Sequence, residues 1–267
     1  MNKPQKDIIL VFAHPDDEIL WASSMALEAK KIITCFSGNL DNTELTSYRK
    51  KAIQSYPLEN FINLGVNETG VFKSSDWRHP VDTKHGVLCA LNYQSYENAF
   101  DTIKSRLLPF LSNGQTVITH NPWGEYGHEE HVLVHKVVRD ISRELNLSIL
   151  VPGCVSNRSL YLMQNHIGEI SDKYFLKEPD YKLSAKVKNF YQDFNCWTMP
   201  DDYEWPAFEI FYEVVNDDNL KGRLHMKPTV PMNIIVFKGL EISYKDILRY
   251  LYYKIHFITN SWIKKFT

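Results

Sequence analysis

Apolar residues run without alternation over 7–13 (DIILVFA) and stop abruptly at the polar stretch 14–18 (HPDDE). A strand buried on both faces has this pattern. Residues 17–29, rich in Ala, Leu, Met and Glu, read as a helix. Residues 31–36 (KIITCF) predict a second strand, 43–56 a second helix capped by Asn42 or Thr43, and 60–65 (NFINLG) a third strand. Strand–helix–strand–helix–strand is the order of a parallel sheet with helices on both faces.

The rhythm breaks over 66–95, a polar stretch containing Gly70, Pro80 and Gly86. A connection of that length inside a compact domain is commonly functional. The pattern then predicts a helix at 97–111, a strand at 116–120, a turn-rich link at 121–127, a long helix at 128–145 and a strand at 147–155. Beyond 156 it predicts strands near 158–163, 208–215 and 232–238, and a helix near 182–194. At the end, Tyr244, Leu248, Leu251, Ile255, Ile258 and Trp262 step by four and three, which is one helical face. Lys245, Arg249, Lys254, Lys264 and Lys265 outnumber Glu241 and Asp246 there. The chain therefore divides into a domain, 1–240, and an amphipathic helix, 241–267. That helix is expected to pack on the domain, on a partner or peripherally on an anionic membrane surface.

The chain has 267 residues, of which 44% are hydrophobic, enough for one sizeable core. A net charge of −2 argues against a nucleic-acid binder, which needs a strong positive field. The N-terminal apolar run is about half the length of a signal-peptide core. No stretch approaches the roughly 18 apolar residues of a membrane span. Cys35, Cys89, Cys154 and Cys196 are far apart and form no C-x-x-C pair. They read as reduced structural cysteines of a cytoplasmic protein.

Two segments crowd chemistry just after predicted strands: 14–18 (HPDDE) and 120–131 (HNPWGEYGHEEH). Ligands of open α/β sheets bind outside the carboxyl ends of the strands, so both segments can face one crevice. The first segment has no glycine and three carboxylates, which would repel a dinucleotide pyrophosphate. A divalent cation would neutralise them, and the imidazole favours zinc over magnesium or calcium. Adjacent side chains point apart, so one of Asp16 and Asp17 can bind metal while the other faces its water. The same acids can also serve only as a helix start that offsets the dipole. His128 and His131, three apart on a helix, share a face, and His135 one turn deeper reads as structural. This is not the H-E-x-x-H zincin spacing.

Taken together, AHPDDE (13–18) and GEYGHEEH (124–131) resemble the paired motifs of the LmbE-like/PIG-L zinc-dependent deacetylases. The resemblance covers a little over half the chain. It implies a Rossmann-like, mostly parallel α/β deacetylase fold with one zinc ion, or iron(II), per chain. It implies hydrolysis of an N-acetylglucosamine-type conjugate to acetate and a free amine. His14, Asp17 and His131 would hold the metal. Asp16 would be the general base, protonated His128 would hold the oxyanion, and Tyr126 would assist. Arg49 would contact substrate. The long loop 66–95 is expected to help recognise the aglycone, where Asp76, Trp77, Arg78 and His79 read either as sugar contacts or as an ordinary solvated loop. Two departures stand out. Glu130 replaces the usual Asp, lengthening by one methylene the carboxylate expected to orient His128. Lys50, Lys51 and Ala52 replace an acidic residue after Arg49. The competing readings are a non-catalytic carbohydrate-binding or regulatory protein on the same fold and a metal-dependent hydrolase of another bond.

Overall fold

A computed structural model describes residues 7–39, 42–215 and 231–235. The C-terminal helix expected at 241–267 and the end of the strand expected near 232–238 lie outside the described residues.

The first half follows the hydrophobic pattern closely: β1 (Ile8–Phe12), α1 (Asp17–Ala26), β2 (Lys31–Gly38), α2 (Thr43–Gln54) and β3 (Phe61–Asn67). The Asn42 side chain accepts the Leu45 N–H at 2.9 Å and so caps α2. The long loop contains one short hairpin, β4 (Asp82–Thr83) and β5 (Gly86–Val87). Next come α3 (Tyr93–Leu107), β6 (Thr116–Thr119), α4 (Glu129–Leu145) and β7 (Ser148–Pro152). The chain continues with β8 (Cys154–Ser156), α5 (Leu160–His166), β9 (Ile170–Lys177), α6 (Tyr181–Asp193), β10 (Glu209–Val214) and β11 (Asn233–Ile235).

The main sheet has the order β3-β2-β1-β6-β7-β10-β9. Its first five strands are parallel, and β10 runs antiparallel to both neighbours. Ile9, Leu10, Val11 and Phe12 are all fully buried, because helices cover both faces of β1. On one face Val11, Ile33 and Val117 pack with Tyr96, Phe100 and Val137 of α3 and α4. On the other Leu10, Ile32 and Ile118 pack with Ile19, Leu183 and Val187 of α1 and α6.

Three features depart from the pattern. The strand expected near 158–163 is helix α5. Ser156 and Ser159 bond to nearby backbone and form a turn, and burial then falls on Leu162 and His166, four apart. The strand expected over 147–155 breaks at Gly153, where a Cβ would sit 2.7 Å from the Tyr212 ring. β8 leaves the main sheet there and pairs with β11. Strand β9 was not expected. It is an edge strand, exposed along most of its length, so it carries no alternating apolar signal.

Helix α1 is broken at Ala22 (φ −151°, ψ 37°). The freed N–H groups of Ser23 and Ser24 donate to Glu209 of β10 at 2.8 and 3.0 Å. Both serine hydroxyls donate to the same carboxylate. One buried carboxylate thus satisfies the broken turn and ties α1, which begins in the site described next, to the far half of the sheet.

Candidate active site

The strand order reverses between β1 and β6, which puts the crevice outside their carboxyl ends. The residues after β1 and those between β6 and α4 converge there. Backbone geometry sets the first group. Asp16 has φ +105°, left-handed for a residue with a Cβ. Such a conformation costs on the order of 1–3 kcal/mol and persists only when its surroundings enforce it. Glu18 enforces it by accepting the Asp16 N–H at 2.9 Å. Glu18 is itself buried and takes the hydroxyls of Tyr56 and Tyr191 at 2.7 and 3.0 Å. Burial pushes the Glu18 carboxyl up to about 7.

Asp17 points the other way and accepts the His14 N–H at 2.7 Å and the Trp21 indole N–H at 2.9 Å. Three imidazoles flank it: His14, His131 and His120, whose Nε2 lies 3.4 Å from Asp17 Oδ2. His14 Nε2 lies 2.8 Å from Glu130 Oε2, and His131 Nδ1 lies 2.8 Å from Glu125 Oε2. These contacts leave His14 Nδ1 and His131 Nε2 turned to Asp17, 3.4 and 3.5 Å from its two oxygens. Among the described residues, His131 Nε2 is buried and has no hydrogen-bond partner. Metal-ligating histidines characteristically carry their other ring nitrogen on a carboxylate. Among the described residues, ligand atoms converge in the groups His14, His128 and His131 and Asp17, His120 and His131, a donor set of imidazoles and a carboxylate that suits a borderline divalent cation.

Asp16 stands beside this group with Thr198 Oγ1 donating to its Oδ2 at 2.7 Å. Burial and the adjacent Asp17 carboxylate push the Asp16 carboxyl up to about 8. A cation on Asp17 would offset the second cause. His128 is the N-cap of α4. Its Nδ1 accepts the Glu130 N–H at 3.2 Å, so its proton sits on Nε2. Burial, with His131 and His14 beside it, holds its pKa well below the usual imidazole value. The sequence reading has His128 protonated; the structure gives its Nδ1 an acceptor's role toward the Glu130 N–H.

Glu130 also differs from expectation. Its carboxylate does not orient His128. It spans from His14 to the N–H and hydroxyl of Thr69, at 2.5 and 2.7 Å, and so orients His14. Tyr126 lies edge-on to His131 with ring centroids 5.3 Å apart. Arg49 is buried and pairs with Glu68, whose other oxygen accepts from Asn39 at 2.7 Å. The guanidinium therefore reaches the site with its charge already partnered. Trp77 is buried and donates to Glu129, so it is neither a sugar contact nor part of a solvated loop. Asp76, Arg78 and His79 form a local turn.

A cavity of about 370 Å³ opens over the cluster. His14, Asp16, Asp17, Arg49, Tyr126 and His128 line it, while Leu45, Phe72 and Met199 form an apolar rim. His131 is fully buried beneath. Four functional residues escaped sequence reasoning: His120, Glu125, Glu68 and Thr198. Glu125 had a signal, since it lies next to a glycine in the turn GEYG, whose two glycines both have positive φ. It bridges His131 and His120, the latter also at 2.8 Å. No helix among the described residues is long and apolar enough to cross a membrane.

Residues 9–142, half of the chain, match the family described as PIG-L, GlcNAc-PI de-N-acetylase. The chain belongs to this family, which supports an N-deacetylase-like hydrolase. The mimivirus protein "Uncharacterized protein L374" (Acanthamoeba polyphaga mimivirus) is 26% identical over 194 residues, 68% of this chain and 81% of that protein. Two solved structures share the fold at 11% identity and a TM-score of 0.50, each covering 79% of this chain and 99% of theirs. One is the zinc-inhibited form of teicoplanin deacetylase Orf2, the other a deacetylase–bog complex from teicoplanin biosynthesis.

Proposed function

We propose that this chain is a metal-dependent N-deacetylase of an N-acetylated amino sugar, with His14, Asp17 and His131 as the ligands. The carrying observation is the paired arrangement in which Glu130 and Glu125 hold the outer nitrogens of two imidazoles whose inner nitrogens face Asp17. When bound, a zinc or iron(II) ion would supply Lewis-acid polarisation and a water of lowered pKa. Asp16 takes the proton of the attacking water and later passes it to the leaving amine. Thr198 occupies Oδ2, which leaves Oδ1 for that exchange. The neutral His128 Nε2–H donates to the developing oxyanion, and Tyr126 stands beside it. Arg49, braced by Glu68, offers its remaining donors to the sugar hydroxyls. The cavity is of a size suited to one amino sugar, and its apolar rim meets what the sugar carries.

The test is primary-amine release from N-acetylglucosamine and its nucleotide-, alkyl- and lipid-linked conjugates, comparing metal-loaded wild type with Asp16→Asn. The expected result is release by the wild type alone, with equal metal content in both proteins. A metal-replete Asp16→Asn protein that still turns over would refute the assignment of the base. No release from any conjugate would refute the substrate class.

A further inference from the structure

Phe72 is 44% exposed and belongs to neither apolar layer, so core packing does not account for it. Its ring lies flat on His128, with centroids 4.5 Å apart and planes 16° apart. His128 lies flat on His131 at 4.6 Å and 12°, and His131 on His120 at 3.8 Å and 19°. Four rings from three parts of the chain thus form one column, and Phe72 closes its outer end.

The backbone carrying Phe72 is held by an unusual device. Lys73 is left-handed (φ +63°), which turns successive N–H groups toward one point. The N–H groups of Lys73, Ser74 and Ser75 all donate to the Glu129 carboxylate, at 3.2, 3.1 and 3.0 Å. The Trp77 indole N–H adds a fourth bond at 3.1 Å, and Arg158 lies 3.4 Å away. Such a concavity of N–H groups ordinarily binds an anion, and here the chain supplies its own. Glu129 is fully buried and immediately follows His128. The anchor of the loop and the imidazole that the loop covers are therefore adjacent residues. Arg158 also stacks over Phe72, with its guanidinium 5.4 Å from the ring centroid.

We propose that Phe72 is a positioning residue, latched by Glu129, that fixes the ring plane of His128 at the mouth of the cavity. The catalytic part of this inference rests on the proposed deacetylase reading; the geometric part does not. His128 caps a helix through its Nδ1 and packs inward on His131, with His14 and Tyr126 at ring-centroid distances of 4.8 and 5.9 Å. Its outer face is covered by Phe72, so the ring is clamped between two flat neighbours. Pre-organised donors matter because a misplacement of ~1 Å can cost about 100-fold in rate.

The experiment uses the full chain, zinc-loaded, with imidazole signals read by proton–nitrogen NMR and assigned through His128→Gln. In the wild type, the Phe72 ring current displaces the His128 carbon-bound protons. Phe72→Ala and Phe72→Leu are expected to abolish that displacement while keeping zinc content. They should lower kcat about 10–100-fold with KM changed far less, and Phe72→Tyr should restore both. Glu129→Gln should reproduce the loss in part without touching the ring itself. His128 signals unchanged in Phe72→Ala would overturn the proposal. So would Phe72→Leu matching Phe72→Tyr in turnover, because apolar cover alone would then suffice. If the wild type releases no amine, the deacetylase reading falls, and the NMR comparison still decides whether Phe72 sets the His128 ring.

Discussion

Glu125→Gln tests the architecture beneath the site without touching a residue that lines the cavity. The wild-type carboxylate is fully buried and takes three donors. His120 Nδ1 and His131 Nδ1 both reach Oε2 at 2.8 Å, and the Asn121 N–H reaches Oε1 at 2.8 Å. Despite burial, the two imidazoles hold the Glu125 carboxyl down at about 2. Glutamine keeps the shape but has one acceptor oxygen. If that oxygen serves the imidazoles, the NH2 group meets the Asn121 N–H; if it is flipped, both imidazoles lose their acceptor. A buried unsatisfied donor costs about 1–3 kcal/mol, and the surviving bonds lose their charge assistance, about 1 kcal/mol each. The expected loss is about 3–5 kcal/mol, the range for breaking a buried ion pair. For a chain of this size that corresponds to a fall of roughly 10 °C or more in Tm. Zinc affinity should drop about 10–100-fold, because His131 is no longer held in one tautomer. Thermal unfolding by circular dichroism with and without chelator reads the first effect, and competition with a chromophoric chelator reads the second. A variant within 1 kcal/mol of the wild type and with unchanged zinc affinity would refute the bridging role of Glu125.

Two further predictions follow from buried pairs. His166 is held between Asp82, at 2.8 Å, and Glu169, and these carboxylates outweigh burial and raise it to about 9. A raised imidazole stabilises fully below its unfolded value near 6.5, and that contribution disappears as pH rises through about 9. Wild-type stability in urea should therefore fall by up to roughly 3 kcal/mol between pH 6 and 9.5, and His166→Asn should remove this part of the slope. Equal slopes would place the titration elsewhere. Glu130→Asp removes one methylene from a side chain that spans His14 and Thr69. The shorter acid cannot hold both, so zinc affinity should fall by about tenfold or more in the chelator competition, with the fold intact by circular dichroism. Unchanged affinity would show that His14 needs no such support.

The first half of the fold was legible because its information is local. Continuous apolar runs mark strands covered on both faces, and β1, β2 and β3 with their helices lie where the runs predict. Burial of β1 follows from the run itself. The edge of the sheet was not legible. β9 exists because β10 presents an unpaired edge to it, and its own residues are mostly exposed. The same divide runs through the site. His14, Asp16, Asp17, Tyr126, His128 and His131 stand in two short motifs at strand ends, where charge crowding is visible in one dimension. Their partners come from afar: Thr198 reaches Asp16 across 182 residues, and Thr69 reaches Glu130 across 61.

The sequence by itself therefore determined which groups could do chemistry and that they follow parallel strands. Only the tertiary structure decided which carboxylate serves which imidazole. Glu130 reads locally as a partner of His128, yet it turns to His14, because Thr69 is brought within reach of its second oxygen. Glu129 beside it is buried in a cradle of loop N–H groups that no local pattern announces. A hydrophobic run needs only water to declare itself. A buried carboxylate is committed by whichever donors the fold delivers to it, and those come from segments that no periodicity connects.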